Sequence, residues 1–289
     1  MIKRKKSIAD SPPTTTPSGW APGWTDAKTK CSGHFPWALA DKGEVVEVVI
    51  PTIVCSDILP IAIELIRLQL GPVRPYFVII DTGSPPEEQR RVWELRCEDV
   101  EVHLLAAGGY RHASDPVAVA LDLALSICRT NKQVLTHADC FLQRQDALQS
   151  LLGHVTKETP VVGYQISPRE GVKNWERMAG HTWTAIDVES IRSRGISWGF
   201  GASIDTKTSE EKDRWDTEYG FCRQLWDCGI EPKLLGTEEN YERNLNKDFD
   251  HIRSLPSSRL YKHAHEQKAE AWINLAKTEA HKRIKKWKK

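Results

Sequence analysis

The segment Tyr76-Phe-Val-Ile-Ile-Asp-Thr-Gly-Ser84 gives the clearest indication of the fold, because an apolar run ends there in an acid and a glycine turn. An apolar run of this length, bounded by turn residues, predicts a fully buried strand over Tyr76–Ile80. Upstream, the β-branched run Val45–Ile53 predicts another strand. Between the two, Asp57–Leu70 is predicted to be a helix that Asp57 caps. Strand, helix and strand in succession predict two parallel strands joined by a crossover helix.

The same alternation continues downstream. The sequence predicts a helix at Val92–Arg96, a strand at Val100–Leu105, a helix at Asp115–Arg129 and a strand at Gln133–Thr136. Strands that alternate with helices in this way predict one α/β domain, with a mainly parallel central sheet covered by helices on both faces.

The chain divides into an N-terminal arm over residues 1–43, a domain over 44–256 and a basic C-terminal helix over 257–289. The arm has no sustained period, which predicts largely irregular structure. The last segment lacks glycine and proline, so it can run as one helix. Its lysine-rich end is either solvated or a contact for a phosphate-rich partner, which would be an anionic membrane or a nucleic acid.

Composition excludes several classes of protein. Forty basic and thirty-nine acidic residues leave a net charge of +1, so bulk charge does not favour nucleic acid. The seven cysteines include no Cys-x-x-Cys pair and are too few to hold a chain of 289 residues together. The basic start lacks the apolar stretch of a secretory signal. We therefore expect a soluble cytoplasmic protein, peripheral to a membrane if its basic helix binds one.

Polar residues follow the predicted strands. Pro51 and Thr52 end the first strand, Asp81 follows the second, and His137 and Asp139 follow the fourth. In parallel sheets ligands bind at this edge. No Gly-x-Gly-x-x-Gly turn or Walker-type loop, which would bind phosphate through its backbone, follows the first strand. A nucleotide diphosphate bound at this edge would therefore be neutralised most simply by a divalent cation. Asp139 is the candidate ligand, although an isolated acid after a strand often serves only as a cap.

Two segments, Val48-Val-Ile-Pro-Thr52 and Val78-Ile-Ile-Asp-Thr-Gly-Ser84, resemble the opening of the family-2-like glycosyltransferases of the GT-A fold. His137-Ala-Asp139 resembles the Asp-x-Asp motif of that family, with histidine in place of its first acid. The resemblance covers about residues 45–255 and implies a single GT-A-like, Rossmann-like domain. Its weaker parts lie at Gly180–Asp187, Ile191–Trp198, Trp215–Leu225 and Asp248–Arg253.

The resemblance also implies roles for residues that bind the nucleotide sugar. Pro51 and Thr52 would border the nucleoside pocket, and Asp81 would bind the base or the ribose. The alternative for Asp81 is a cap on the turn that follows it. Arg111 lies between the third strand and the next helix, where a guanidinium either binds a phosphate or faces solvent. His137 would contact the diphosphate or the metal.

The implied cofactor is Mn²⁺ or Mg²⁺. Asp139 would be its carboxylate ligand, and His251 corresponds to the late histidine that some members of the family use on the metal. His137 is the third candidate ligand, although imidazole suits softer metals than Mg²⁺.

Sugar transfer to a hydroxyl requires a carboxylate that accepts the proton of the acceptor. Asp216 stands at the start of a predicted helix, where the helix dipole favours its ionised form. An acid at this position is also an ordinary helix cap. Glu218 is the second candidate for the base.

The sequence therefore predicts an inverting, metal-dependent glycosyltransferase that uses a nucleotide-diphosphate sugar. The acceptor would be a hydroxyl of a glycan, a lipid-linked molecule or a protein. The alternative is a non-catalytic nucleotide- or glycan-binding module of the same fold. We do not expect a nucleic-acid-binding protein, because the basic clusters at residues 1–6 and 281–289 are terminal and the core has no basic stripe.

Overall fold

The computed structural model describes residues 35–105, 115–165, 174–199, 217–237, 243–245, 247–252 and 266–289. The strands are β1 (Val45–Thr52), β2 (Arg74–Asp81), β3 (Val100–Leu104), β4 (Lys132–Thr136), β5 (Cys140–Leu142), β6 (Val161–Gln165), β7 (Trp183–Asp187), β8 (Lys233–Thr237), β9 (Arg243–Leu245) and β10 (Phe249–Ile252). The helices are α1 (Trp37–Ala40), α2 (Leu59–Arg67), α3 (Pro86–Trp93), α4 (Asp115–Ile127), α5 (Ala147–Leu152), α6 (Val188–Arg192), α7 (Thr217–Asp227) and α8 (Glu266–Trp287).

A seven-stranded sheet in the order β3-β2-β1-β4-β7-β6-β8 forms the centre of the domain. Strands β1 to β4 are parallel, as predicted. Strand β7 is antiparallel to both of its neighbours, and Thr136 of β4 pairs with Trp183 of β7. The residues that precede β7 therefore lie at the edge where β1, β2 and β4 end.

Two apolar cores, one on each face of the sheet, confirm the predicted fold class. Along β1, Val46, Val48 and Ile50 join the core that contains α2, α5 and α8. Val45 and Val49 join the opposite core, which α4 and α7 cover. The strand is buried throughout because its side chains alternate between these two apolar layers.

One predicted helix was wrong in position. The helix expected at Val92–Arg96 lies at Pro86–Trp93. Pro86 is its first residue, and the fixed φ of a proline suits the first turn of a helix. The negative charges of Glu87 and Glu88 in this turn interact favourably with the positive end of the helix dipole. These start signals outweigh the apolar residues further along, so α3 ends where the prediction placed its beginning.

A second sheet has the strand order β5-β10-β9. Its strand β5 begins shortly after the end of β4 in the chain. Strand β10 is antiparallel to β5, and His251 pairs with Cys140. The backbone N–H of Ile252 donates to the carbonyl oxygen of Asp139 at 3.1 Å. This pairing carries a late segment of the chain to the edge of the main sheet.

The C-terminal helix α8 packs lengthwise on α2. Ile273, Ala276 and Ala280 on one of its faces are buried in the core. Two ion pairs reinforce the contact: Lys277 Nζ lies 3.0 Å from Asp57 and Lys288 Nζ lies 2.8 Å from Glu64. The exposed lysines at the end of α8 and just after it are Lys282, Lys285, Lys286, Lys288 and Lys289. Contact of these lysines with an anionic membrane stays a prediction.

None of the helices in the described ranges combines the length and the apolar character that a membrane crossing requires.

At the amino edge of the sheet, a buried ion network joins β1 and β3 to Arg129, which lies between α4 and β4. The Arg129 guanidinium lies 2.9 Å from Glu47 and 2.5 Å from Glu101, and His103 lies 2.9 Å from Glu101. The Phe35 ring stacks on Arg129, with its centroid 4.4 Å from the guanidinium carbon. Burial opposes ionisation of Glu101, but His103 and Arg129 outweigh it and hold its pKa at about 2. The network therefore stabilises the fold only while Glu101 is charged.

We expect Glu101→Gln to lower the free energy of unfolding by about 3 kcal/mol at pH 7, because it removes one partner of a buried ion pair. The pKa of Glu101 is lower in the folded chain than in the unfolded one. Its contribution is therefore complete above pH ~5 and is lost as the pH falls through about 2. Urea unfolding between pH 7 and pH 3 measures both effects.

The matched control is Glu94→Gln, because Glu94 is exposed directly after the end of α3. It should change stability by less than about 0.5 kcal/mol. Equal stability of the two variants at pH 7 would contradict the role of the network.

Candidate active site

Three residues meet where β4 ends. His137 Nδ1 lies 3.2 Å from His251 Nε2 and 4.0 Å from Asp139 Oδ1, and His251 Nε2 lies 3.5 Å from the same carboxylate oxygen. Asp139 and His251 are buried and His137 is partly exposed. We call these three residues the His-Asp-His cluster. The sequence motif and the late histidine, which the prediction joined only by resemblance, are thus neighbours in space.

The cluster fits a divalent cation. Two ligand atoms that each lie about 2.1 Å from one ion are about 3.0 to 3.6 Å apart at coordination angles of 90° to 120°. The distances from His251 Nε2 to His137 Nδ1 and to Asp139 Oδ1 are close to this range. Within the described residues, Asp139 Oδ2 is buried and accepts no hydrogen bond. A buried carboxylate oxygen without a donor is costly unless a cation or another charge offsets it. The residues present are therefore a suitable site for the predicted cofactor.

A second pair of residues lies on the far side of His137. The His181 ring is 4.4 Å from the His137 ring between centroids, and its Nδ1 is 2.9 Å from Glu218 Oε1. Both residues of the pair are buried. Glu218 belongs to the first turn of α7, so this helix delivers a carboxylate to the neighbourhood of the cluster.

His181 is not among the site residues predicted from the sequence, because those residues were the ones that follow the predicted strands. His181 precedes β7, and β7 is antiparallel to β4, so its first residues lie beside the last residues of β4. The signal in the sequence was the polar Gly180-His-Thr182 before a strand-like run. Without the strand direction, that signal could not be assigned to either edge of the sheet.

Asp81 organises the turn that follows β2. Its Oδ1 accepts hydrogen bonds from the N–H groups of Gly83 and Ser84 and from Gln89 Nε2, at 2.9 to 3.1 Å. The Ser84 hydroxyl donates to Oδ2 at 2.5 Å. Burial raises the pKa of Asp81, and these donors counteract it. The cap predicted as the alternative role of Asp81 is present, and binding of a nucleoside by Asp81 stays a prediction.

The loop after β1 is strained and is held by this turn. Val54 has a φ of 48°, in the left-handed region that β-branched residues rarely adopt, at a cost of about 1–3 kcal/mol. Its N–H donates to the Ser84 hydroxyl at 2.8 Å, and Ser56 donates to Glu88 at 2.5 Å. Ser84 therefore ties the loop after β1 to Asp81.

Thr52 ends β1 beside Asp81, and the two residues pair in register. Both Pro51 and Thr52 are buried. In the part of the chain that the structure describes, Thr52 Oγ1 has no hydrogen-bond partner. A buried hydroxyl without a partner is a suitable contact for the ribose or base of a nucleotide.

The predicted residues Arg111 and Asp216 lie outside the described residues. Asp248, which the sequence places near His251, points elsewhere: its carboxylate contacts Arg144 at 3.1 Å and accepts from the Tyr164 hydroxyl. Of the two candidates for the base, the described structure thus contains only Glu218.

No protein-family model matches the chain, and no curated protein matches its sequence. Among solved structures, it is similar to the mannosyltransferase PcManGT from Pyrobaculum calidifontis in complex with GDP-Man and Mn²⁺, with a TM-score of 0.47, 17% identity and coverage of 67% of this chain and 55% of that one. It is also similar to residues 1–349 of TarS from S. aureus, with a TM-score of 0.46, 11% identity and coverage of 74% and 62%.

A structure of the same TarS segment in complex with UDP-GlcNAc gives a TM-score of 0.42 at 12% identity, with coverage of 71% and 57%. The chain therefore spans less than two thirds of each of these proteins.

We expect the full chain to bind one Mn²⁺ in the absence of any nucleotide, and His251→Ala to weaken that binding by about tenfold or more, because it removes one of the three ligand atoms. Isothermal titration calorimetry with MnCl₂ measures the dissociation constant. His154→Ala serves as the control, because His154 lies outside the cluster and contacts Lys233. Equal affinity in the two variants would contradict the assignment of His251.

We expect Ser84→Ala to destabilise the fold by about 1–3 kcal/mol, because it leaves the Val54 N–H and the Asp81 carboxylate without a shared partner. Thermal unfolding measures the effect. Ser126→Ala is the control, since Ser126 is exposed and its hydroxyl donates to the Leu123 carbonyl oxygen of its own helix. If both variants unfold at the same temperature as the wild type, Ser84 does not stabilise the loop that contains Val54.

Proposed function

We propose that this chain is a metal-dependent glycosyltransferase that moves a sugar, with inversion, from a nucleotide-diphosphate sugar to a hydroxyl acceptor. The observation that carries the proposal is the meeting of His137, Asp139 and His251 at the carboxyl edge of the sheet. The Glu218 carboxylate contacts His181, and the His181 ring packs against the His137 ring. These are the two things that the reaction needs: a site for the diphosphate and a group that accepts a proton.

The donor nucleotide would enter beside β1 and β2. The Thr52 hydroxyl is buried and unpaired within the described residues, so it can bind the nucleoside. Asp81 holds the turn through Ser84, and Ser84 holds the Val54 loop. We assign Asp81 a mainly organising role, because four donors already occupy most of the lone pairs of its carboxylate.

The diphosphate would lie at the His-Asp-His cluster. A bound divalent cation supplies positive charge that stabilises the departing diphosphate. His137, Asp139 and His251 would hold it, and the two imidazoles would favour Mn²⁺ over Mg²⁺, which prefers oxygen ligands. This arrangement handles phosphate without a glycine-rich loop, in keeping with the absence of such a loop after β1.

Glu218 is the proposed base. In a single displacement, the acceptor oxygen forms a bond to the anomeric carbon while the bond from that carbon to the diphosphate oxygen breaks. The electron pair of that bond leaves with the diphosphate, and the acceptor proton passes to the Glu218 carboxylate. The start of α7 favours the ionised form of this acid. Asp216 stands two residues earlier and remains the competing assignment.

The first test is turnover. With Mn²⁺ and a panel of nucleotide-diphosphate sugars, we expect the wild type to release the nucleoside diphosphate. Asp139→Asn should lower the rate by about 100-fold or more, because it removes the only acidic ligand of the cluster. Asp227→Asn is the control, since Asp227 is exposed at the end of α7 and should keep the wild-type rate.

The second measurement identifies the base. Loss of a general base lowers kcat by about 10²–10⁴-fold, and we expect this from Glu218→Gln while the affinity for the donor stays the same. If Asp216→Asn shows that loss and Glu218→Gln does not, the base is Asp216. Binding of a nucleotide diphosphate without turnover of any donor would instead identify a non-catalytic binding module.

A further inference from the structure

His181 occupies the space between the two parts of the proposed site. On one side its Nδ1 is 2.9 Å from Glu218 Oε1, and on the other its ring packs 4.4 Å from the His137 ring, tilted by 45°. It is 7% exposed, so water does not compete for these contacts. The Trp198 ring lies 6.2 Å away in an edge contact, and it stacks in turn on Phe221 of α7.

The geometry separates His181 from the cation site. The group of described residues with ligand atoms close enough to share one ion contains His137, Asp139 and His251, and His181 is not among them. Its Nδ1 faces a carboxylate instead. A histidine whose nitrogen faces a carboxylate, and whose ring is fixed by packing, is suited to orienting that carboxylate.

We infer that His181 is a positioning residue for Glu218, which holds the carboxylate beside the His-Asp-His cluster without binding the cation. The inference rests on the proposed function, in which Glu218 is the base. A glutamate has three side-chain torsions, so an untethered carboxylate spends much of its time out of line with the acceptor hydroxyl. A misplacement of about 1 Å can cost about 100-fold in rate.

The contact between His181 and Glu218 can become a stronger hydrogen bond when the substrate binds. His181 Nδ1 and Glu218 Oε1 are at hydrogen-bonding distance, but Nδ1 is not aligned for a full hydrogen bond. Such contacts often tighten when the substrate is bound. The stack of Trp198 on Phe221 ties α7, which carries Glu218, to the region around His181.

Two substitutions of His181 test separately the contribution of its N–H group and that of its aromatic ring. His181→Asn keeps a side-chain N–H close to the position of Nδ1, whereas His181→Phe keeps an aromatic ring and removes the donor. In the full-length chain, with Mn²⁺ and a donor that the wild type turns over, we expect His181→Phe to lower kcat by about 10- to 100-fold. His181→Asn should recover kcat to within about threefold of the wild type.

Three further measurements distinguish positioning from other roles. The KM for the donor and the dissociation constant for Mn²⁺ alone should stay within about threefold of the wild type in both variants, since His181 binds neither. In the Glu218→Gln background, His181→Phe should cause no further loss of kcat, because both changes act through one carboxylate. Thermal unfolding of the two single variants should differ by no more than a few degrees.

Each contrary result has a different meaning. Weaker Mn²⁺ binding in His181→Phe would make His181 a metal ligand and overturn the inference. Equal losses in the Asn and Phe variants, or additive losses with Glu218→Gln, would reduce His181 to a packing residue and overturn it. An unchanged kcat in His181→Phe would overturn the inference alone, whereas a wild type with no turnover would overturn the proposed function and the inference together.

Discussion

The pairing of β10 with β5 is the constraint on which the site depends. Strand β5 begins directly after Asp139, and the antiparallel register sets His251 opposite Cys140. The hydrogen bond from the Ile252 N–H to the Asp139 carbonyl closes the same contact. A histidine 112 positions later in the chain is thereby brought within 3.5 Å of the Asp139 carboxylate. Without this small sheet, Asp139 would keep one imidazole neighbour, and a cation would lose one of its three protein ligands.

The buried ion network and the candidate active site lie at opposite edges of the central sheet. At the amino edge, Arg129 joins Glu47 and Glu101 in a buried ion network, in which Glu47 Oε2 has no hydrogen-bond partner among the described residues. At the carboxyl edge, Thr52 and Asp139 keep buried oxygen atoms without partners among the described residues. Buried polar atoms are normally paired, so a ligand that binds at the carboxyl edge would supply the missing partner of these two oxygens.

The turn after β2 shows how one residue serves structure and site at once. Asp81 accepts four hydrogen bonds, and the Ser84 hydroxyl that donates one of them also accepts the N–H of Val54. Through this contact the strained φ of Val54 is held in place. Strain of this kind persists only where surrounding contacts over-determine the backbone, and it concentrates at functional sites. The nucleoside pocket that we propose is thus shaped before any ligand arrives.

Local sequence patterns were enough to predict the fold class, the first four strands and the acidic position after β4, because apolar runs and turn residues act over a few neighbouring positions. They misplaced α3, where Pro86 and two glutamates outweighed the apolar pattern. The resemblance predicted a metal role for His251, but the folded chain was needed to show that His251 lies beside Asp139 and that His181 contacts both His137 and Glu218. The first follows from a strand pairing and the second from the antiparallel direction of β7, and both are contacts between segments far apart in the chain. Local residue patterns do not carry that information, since register and strand direction are set by how the elements pack together.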